Sequence, residues 1–142
     1  TLRSNVQRAS QIWSGIGAHV VTMTHEEHDS AFAAVSHLPH LLAFAYLNAL
    51  IAQPKSDDFL RLAGPGFRDF SRIAASDPVM WRDVLLANRE QVLLQSQAFR
   101  KALLELEALV TAGDAQALEH SIAAASKVRA AWRPNTDASQ DS

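Results

Sequence analysis

The sequence predicts a mainly α-helical fold with one long helix, preceded by a single helix and a short strand. Residues 79–112 contain no glycine or proline. Within them apolar residues recur at seven-residue intervals: Leu85, Val92, Phe99 and Leu106. This spacing is typical of one face of a helix. The whole chain of 142 residues has only 5 glycines and 5 prolines, so few points interrupt helical segments.

The composition excludes several classes of function. The chain has 13 Lys and Arg against 15 Asp and Glu, so it lacks the excess positive charge of nucleic-acid-binding domains. It has no cysteine, which excludes disulfides and thiol nucleophiles. No uninterrupted apolar stretch reaches the ~18 residues of a membrane span, and the first residues lack a signal peptide's apolar core. We therefore expect a cytoplasmic protein with neither a nucleic-acid nor a membrane partner.

The first 23 residues predict one helix and one strand. Apolar residues at helical spacing run to Ile16, and Gly17 ends the helix. Residues 18–23 are β-branched at their centre, which favours a strand. An isolated strand leaves its backbone groups unpaired. This segment is therefore either the remnant of a larger α/β unit or an edge strand that pairs with a partner.

A helix with a break is predicted for residues 24–53. Thr24 and Glu27 have the spacing of a capping box, which marks the start of the helix. Pro39 lies inside the helical pattern. Because proline removes a backbone hydrogen bond and crowds the previous turn, we expect a kink near residues 35–37.

The later helices are separated by strong breaks. Gly64-Pro65-Gly66 is the sharpest break, and Asp77-Pro78 is an N-cap followed by a first-turn proline. Gly113 ends the long helix, and Asp114 caps the last one. The predicted helices are residues 57–63, 67–76, 79–112 and about 118–132. Residues 134–142 are predicted to form a polar, disordered tail.

The predicted long helix also points to self-association. At about 1.5 Å per residue, residues 79–112 would span roughly 50 Å. A domain of this size does not need such a helix for its own core. We therefore predict that the helix packs against a second copy of the chain, although its periodicity fits internal packing equally well.

Two histidine-containing segments are candidate sites. His25-Glu26-Glu27-His28 has an i, i+3 spacing, whereas the helical zinc-protease motif needs histidines at i and i+4 with Glu between them. We therefore predict a solvated helix turn here and no metal site. Ser36 to His40 is different, because His37 and His40 lie one turn apart beside the predicted proline kink. This segment is either a kinked core helix with internally bonded imidazoles or a functional site.

A second candidate site follows the glycine-proline-glycine break. Arg68 and Arg72 lie one turn apart, with Asp69 three residues before Arg72. A guanidinium held by a carboxylate can bind a carboxylate ligand in a two-pronged manner. The alternative is an Asp69–Arg72 pair on a solvated helix face. Trp81 by itself predicts a core or interface anchor.

Several short motifs occur together in one order along the chain. They are Trp13, Gly17-Ala18, His28-Asp29, Ser36-His37-Leu38-Pro39-His40, Gly66-Phe67-Arg68-Asp69-Phe70-Ser71-Arg72-Ile73-Ala74, Ser76-Asp77-Pro78-Val79-Met80-Trp81-Arg82-Asp83 and Asn88. In this order and spacing they resemble the C-terminal helical domain of prephenate and arogenate dehydrogenases. The resemblance covers roughly residues 13–88.

The resemblance implies part of a two-domain enzyme. Residues 1–23 would be the end of an N-terminal Rossmann domain that binds NAD or NADP, and residues 24–133 a helical domain that forms a homodimer and closes the substrate site. The catalytic histidine and the glycine-rich cofactor turn would lie upstream. We accordingly expect no catalytic or cofactor-binding residue in this chain, which contains no Gly-x-Gly-x-x-Gly.

The implied reaction is the oxidative decarboxylation of prephenate to 4-hydroxyphenylpyruvate in tyrosine biosynthesis. Arg72 would hold the ring carboxylate, and Asp69 would orient the Arg72 side chain. Ser36 and His37 would line the pocket, and His40 would hydrogen-bond the substrate or its neighbours. Gly66 would allow a close backbone approach, and Trp81 would lie near the site or the interdomain contact. The alternatives are an arogenate dehydrogenase and a purely structural helical homodimerisation module.

Overall fold

The computed structural model describes residues 2–134, which form eight α-helices and no strand. The helices are α1 Leu2–Gly15, α2 His25–Phe32, α3 Leu38–Ile51, α4 Ser56–Arg61, α5 Pro65–Ser71, α6 Pro78–Ala87, α7 Arg89–Ala112 and α8 Ala115–Ala131. The chain divides into two compact units. One is Thr24–Leu104, and the other combines the described residues up to Met23 with those from Glu105 onward. The predicted mainly α-helical class is confirmed.

The unit formed by the two chain ends carries α1 and α8. Gly17 ends the first helical segment with a φ of 87°, as predicted. Residues 18–23 have no regular structure, so the predicted strand is wrong for the described chain. The physical reason is that a strand needs a neighbouring strand to bond its backbone, and residues 2–134 supply none.

Local signals at the other end of this unit act as predicted. Gly113 ends α7 with a φ of 65°, and the Asp114 carboxylate accepts a hydrogen bond from the Ala117 amide at 3.0 Å. Such a cap bonds an amide that the first helical turn leaves without a partner. Pro134 follows α8 without regular structure. The rest of the predicted disordered tail, residues 135–142, lies outside the described residues.

The unit Thr24–Leu104 begins with the predicted capping box. The Thr24 amide donates to Glu27 Oε2 at 2.8 Å, and the Glu27 amide donates to Thr24 Oγ1 at 3.2 Å. The helix then passes through a π-helical turn, Ala33–His37, before α3 begins. The predicted break near residues 35–37 is therefore confirmed, since Pro39 has no amide hydrogen with which to continue a regular α-helix.

The two helices that follow α3, α4 and α5, are shorter than the sequence predicts. Proline at position 65 occupies the first turn of α5, after the N-cap Gly64. The chain tightens into a 3₁₀ turn, Arg72–Ala74, so α5 does not extend to residue 76. α4, α5 and this turn all pack against α3. This packing, which propensity does not encode, places Arg72 at a turn instead of on a helix face.

The predicted helix 79–112 is two helices, which is a correction. α6 begins at Pro78, where the Asp77 carboxylate accepts from the Met80 amide at 2.7 Å, and it ends at Ala87. Asn88 separates it from α7. The sequence contains no breaker there, and the interruption accompanies tertiary hydrogen bonds of the Asn88 side chain. The continuous helix is therefore about 36 Å long at 24 residues, not 50 Å.

Much apolar surface of this unit stays exposed. The buried residues among those described are Ala33, Ala43, Trp81, Val92 and the polar Asn88. Leu86, Leu93, Leu94 and Leu104 on α6 and α7 are more than half exposed. The stretch His25–Ile51 is long and apolar enough to cross a membrane. Length and composition alone are weak evidence of a membrane span. Only 6% of the most apolar window of this stretch is buried. Such faces are typical of surfaces that another chain or domain covers.

Candidate functional site

Trp81 assembles the central cluster of the site, which we call the imidazole–indole cluster: Trp81, His37, His40 and Asn88. Trp81 lies on α6 and is only 8% exposed. The His40 ring stacks on the indole with 3.6 Å between centroids and 19° between planes. The His37 ring meets the indole edge-on, with centroids 6.2 Å apart. The two rings from the kinked segment are therefore held against one indole from a distant part of the chain.

His40 is held in one tautomer by the backbone. Its Nδ1 lies 2.9 Å from the carbonyl oxygen of Ser36, one turn earlier. A carbonyl oxygen only accepts, so Nδ1 of His40 carries the hydrogen and donates it. In the neutral ring, Nε2 is then left as an acceptor. Stacking on Trp81 and this hydrogen bond together restrict the orientation of the ring.

His37 is held in the opposite tautomer by Asn88. Nδ2 of Asn88 lies 2.8 Å from the carbonyl oxygen of Asp29 and 3.2 Å from Nδ1 of His37. Because the Asp29 oxygen can only accept, the shared atom is the amide nitrogen, which donates to both neighbours. Nδ1 of His37 is therefore the acceptor, and the neutral ring carries its hydrogen on Nε2.

The surroundings of His37 also favour its neutral form. Burial lowers the pKa of His37 below its ordinary value of 6.5, and the neighbouring His28 lowers it further. Asp29 opposes this effect, and His40 adds a smaller lowering. Burial disfavours the charged ring because an imidazolium loses hydration there. The pKa direction agrees with a ring that accepts a hydrogen bond at Nδ1.

Arg72 is not part of the imidazole–indole cluster and lines a cavity of about 520 Å³. Its lining residues are Leu47, Phe67, Arg68, Ser71, Arg72, Ala74 and Ala75. The predicted Asp69–Arg72 pair is wrong: Asp69 instead accepts from Nε of Arg68 at 2.9 Å. The 3₁₀ turn that begins at Arg72 ends the helical spacing on which that pair depended. Arg72 is exposed and forms no ion pair with residues 2–134, which leaves its guanidinium available to an anion.

The structure brings together only part of the predicted site. Ser36, His37, His40 and Trp81 meet in or beside the imidazole–indole cluster, with Ser36 taking part through its carbonyl oxygen. The imidazoles are not among the residues that line the Arg72 cavity. Gly66 is exposed within α5, and a Cβ there would meet nothing within 4 Å. The chain itself therefore does not require glycine at this position.

The first turn of α2 contributes to a second, polar cavity of about 470 Å³. It is lined by His25, Glu26, Asp29, Leu86, Ala87, Asn88, Arg89, Glu90 and Gln91. His28 stacks on Phe32 and lies 3.0 Å from the Asp29 carboxylate. Among the described residues no group of three or more His, Cys, Asp or Glu is placed to hold a metal ion.

Asn88 is the site residue whose role the sequence reasoning missed. Its position in the helical pattern held a usable signal. Asn88 lies three residues after Leu85 and four residues before Val92, so on a helix it shares a face with both. A polar residue between apolar ones on one helix face indicates a buried side chain that needs hydrogen-bond partners. The partners themselves, 59 and 51 residues away, could not be read from the spacing.

Comparison with known proteins identifies the family of this chain. Residues 24–124 match the family described as prephenate dehydrogenase, dimerization domain. A prephenate dehydrogenase of Lactococcus lactis subsp. cremoris is 36% identical over 137 residues, which are 92% of this chain and 37% of that protein. A cyclohexadienyl dehydrogenase of Zymomonas mobilis is 30% identical over 127 residues, 88% of this chain and 43% of that protein.

A solved structure agrees with the sequence comparisons. The prephenate dehydrogenase of A. aeolicus, in complex with hydroxyphenyl propionate and NAD+, is 37% identical, with a TM-score of 0.83. The match covers 89% of this chain and 45% of that one. The chain thus spans less than half the length of these relatives.

The fold, with its uncovered apolar helices and its imidazole–indole cluster, is that of a helical dimerization domain of a dehydrogenase. The chain belongs to the prephenate dehydrogenase family, and residues 24–124 are its dimerization domain.

Proposed function

We propose that this chain is part of an NAD(P)-dependent prephenate dehydrogenase that oxidatively decarboxylates prephenate to 4-hydroxyphenylpyruvate for tyrosine biosynthesis. The observation that carries the proposal is the imidazole–indole cluster within a domain of this family. Two relatives named as prephenate dehydrogenases support it, at 36% and 34% identity. The chain would supply substrate contacts and the dimer interface, and residues 1–23 would be the end of the dinucleotide-binding domain.

The charge of the substrate determines the role of Arg72. Prephenate is a dianion, so its site must supply fixed positive charge and hydrogen-bond donors. Arg72 has no carboxylate partner among the described residues and can hold the ring carboxylate. Because Asp69 is paired with Arg68, orientation of Arg72 by Asp69 would require a rearrangement of that pair on binding.

The two imidazoles would supply hydrogen bonds of opposite type. His37 offers a hydrogen on Nε2, and neutral His40 offers Nε2 as an acceptor. Trp81 stacks on the ring of His40 and meets the ring of His37 edge-on. A nicotinamide dinucleotide, when bound, accepts the hydride from the substrate ring. We assign the binding of that cofactor, whether NAD or NADP, to the upstream domain. We assign no contact with the cofactor to this chain.

The homodimer is part of the same proposal. The half-exposed leucines of α6 and α7 and the little-buried stretch His25–Ile51 form apolar surface that a second copy can cover. Full burial of one such leucine contributes about 1.5–3 kcal/mol relative to exposure. A few of them suffice for stable association. We also propose that the enzyme acts in the cytoplasm.

Steady-state kinetics of the enzyme that contains this chain and its cofactor domain tests the proposal. Arg72→Ala removes a charged hydrogen bond worth about 1.5–3 kcal/mol, so KM for prephenate should rise roughly 10- to 100-fold. Arg68→Ala is the matched control, since Arg68 lines the same cavity but is already paired with Asp69. An unchanged KM in Arg72→Ala, or an equal effect of both variants, would contradict the assigned role of Arg72.

Arogenate is the second candidate substrate. The Zymomonas mobilis relative, 30% identical, is named for the wider cyclohexadienyl class. Arogenate differs from prephenate in carrying an amino acid in place of the keto acid side chain. Comparison of kcat/KM for the two substrates on the same enzyme decides between them. A protein that dimerises but turns over neither substrate would instead be a structural helical module.

A further inference from the structure

Asn88 has non-helical backbone angles, φ −108° and ψ 29°, yet its backbone groups keep helical hydrogen bonds. Its amide donates to Val84 O at 3.2 Å, and its carbonyl accepts from the Val92 amide at 3.0 Å. Helical hydrogen bonding therefore continues on both sides of the junction between α6 and α7. The side chain is only 9% exposed, although it is polar. A buried amide is retained at low cost only where its hydrogen bonds are made.

The Asn88 amide connects three segments of the unit Thr24–Leu104. Its two hydrogens go to Asp29 O on α2 and to Nδ1 of His37 in the π-helical turn, at 2.8 and 3.2 Å. Both neighbours are acceptors. The position therefore requires a donor, and a carboxylate of the same shape would place an acceptor against the Asp29 carbonyl. This polarity distinguishes a specific hydrogen-bonding role from simple space filling.

We propose that Asn88 is a positioning residue for His37, holding the imidazole with its hydrogen on Nε2 so that the ring presents a donor at the surface of the site. The inference rests on the proposed function only in regarding that surface as a substrate site. The tautomer itself follows from the hydrogen bonds of Asn88. His40 is held independently in the opposite tautomer by Ser36 O, so each ring of the cluster has its own restraint.

The tautomer of His37 can be measured directly in the full chain. Nitrogen-15 chemical shifts of labelled imidazoles show which nitrogen of a neutral ring carries the hydrogen. We expect the hydrogen on Nε2 in His37 and on Nδ1 in His40. A neutral His37 protonated on Nδ1 in the unaltered protein would overturn the inference, and this measurement needs no variant.

Asn88→Asp reverses the polarity at nearly constant shape. The carboxylate can only accept, so the His37 hydrogen should move to Nδ1 and the pKa of His37 should rise by roughly 1–2 units. The other titratable groups facing His37 are His28, Asp29 and His40, and they are the same in both proteins. His40, whose restraint is the Ser36 carbonyl, should keep its tautomer and serves as an internal control.

Asn48→Asp is the matched control, because Asn48 is an exposed asparagine on α3 in the same unit. It should leave both tautomers and the His37 pKa unchanged. A folded Asn88→Asp protein with an unchanged His37 tautomer and pKa would refute the positioning role. If Asn88→Asp does not fold, the tautomer of the unaltered protein decides. These readouts do not depend on turnover, so an enzyme inactive on prephenate would remove the proposed function and leave this test intact.

Discussion

Replacement of Trp81 should destabilise the protein far more than replacement of Trp132, a half-exposed tryptophan. More than nine-tenths of Trp81 is buried. A buried tryptophan removes about 200 Å² of largely apolar surface from water, worth about 5 kcal/mol at about 25 cal/mol per Å². Partial relaxation around the cavity leaves an expected loss of about 3–5 kcal/mol for Trp81→Ala. That range includes the loss of the stacking contact with His40, whose ring centroid lies 3.6 Å from that of Trp81.

Trp132 provides the matched control. It follows α8, is 57% exposed and contacts the Arg129 guanidinium at 5.3 Å. Since less than half of its surface is buried, the same reasoning gives at most about 2 kcal/mol for Trp132→Ala. Urea unfolding followed by far-ultraviolet circular dichroism measures both values. The protein concentration must be equal in all samples, because association contributes to the apparent stability.

Trp81→Phe separates burial from ring stacking. Phenylalanine keeps an aromatic face for His40 and loses part of the buried area, so we expect a loss of about 1–2 kcal/mol. Equal losses for Trp81→Ala and Trp132→Ala would refute the reasoning. Such a result would mean that Trp81 is no more important for stability than a half-exposed residue, and that the imidazole–indole cluster does not organise this unit.

Two further predictions concern pH and association. Burial on folding lowers the pKa of His37 below its ordinary value of 6.5. At pH values between the folded and the unfolded pKa, His37 therefore binds a proton in the unfolded chain but not in the folded chain. Stability should therefore fall as pH decreases below about 7, and His37→Phe should reduce that dependence in unfolding measured at a series of pH values. An identical pH dependence in the variant would contradict this role of His37. Leu93→Asp, on the exposed apolar face of α7, should weaken self-association at least about tenfold in sedimentation equilibrium, whereas Leu62→Asp, which is 85% exposed after α4, should not. Equal dissociation constants for the two variants would place the interface elsewhere.

Local sequence signals accounted for most helix ends. The capping box at Thr24, the cap at Asp77 and the glycine at 113 each act on groups within a few residues, so their effect can be read from spacing. Pro39 is similar, because its missing amide hydrogen affects the turn directly before it. The π-helical turn at Ala33–His37 confirms that prediction.

The errors arose where distant residues decide the local structure. Residues 18–23 have strand propensity, but a strand forms only with a partner that residues 2–134 do not provide. The break at Asn88 accompanies hydrogen bonds to Asp29 and His37, which are more than fifty residues away. Asp69 forms its ion pair with Arg68 and not with Arg72 because the 3₁₀ turn begins at Arg72. The position of that turn depends on its packing against α3.

The amino-acid sequence by itself determined the helical class, the main capping sites, the kink before Pro39 and the family, because these depend on short-range chemistry or on ordered motifs. Only the tertiary structure decided that His37, His40 and Trp81 meet, which tautomer each imidazole takes, and that Arg72 lines a separate cavity. The physical reason is that a tautomer or an ion pair is selected by whichever donor or acceptor lies within about 3 Å, and that neighbour is supplied by the fold.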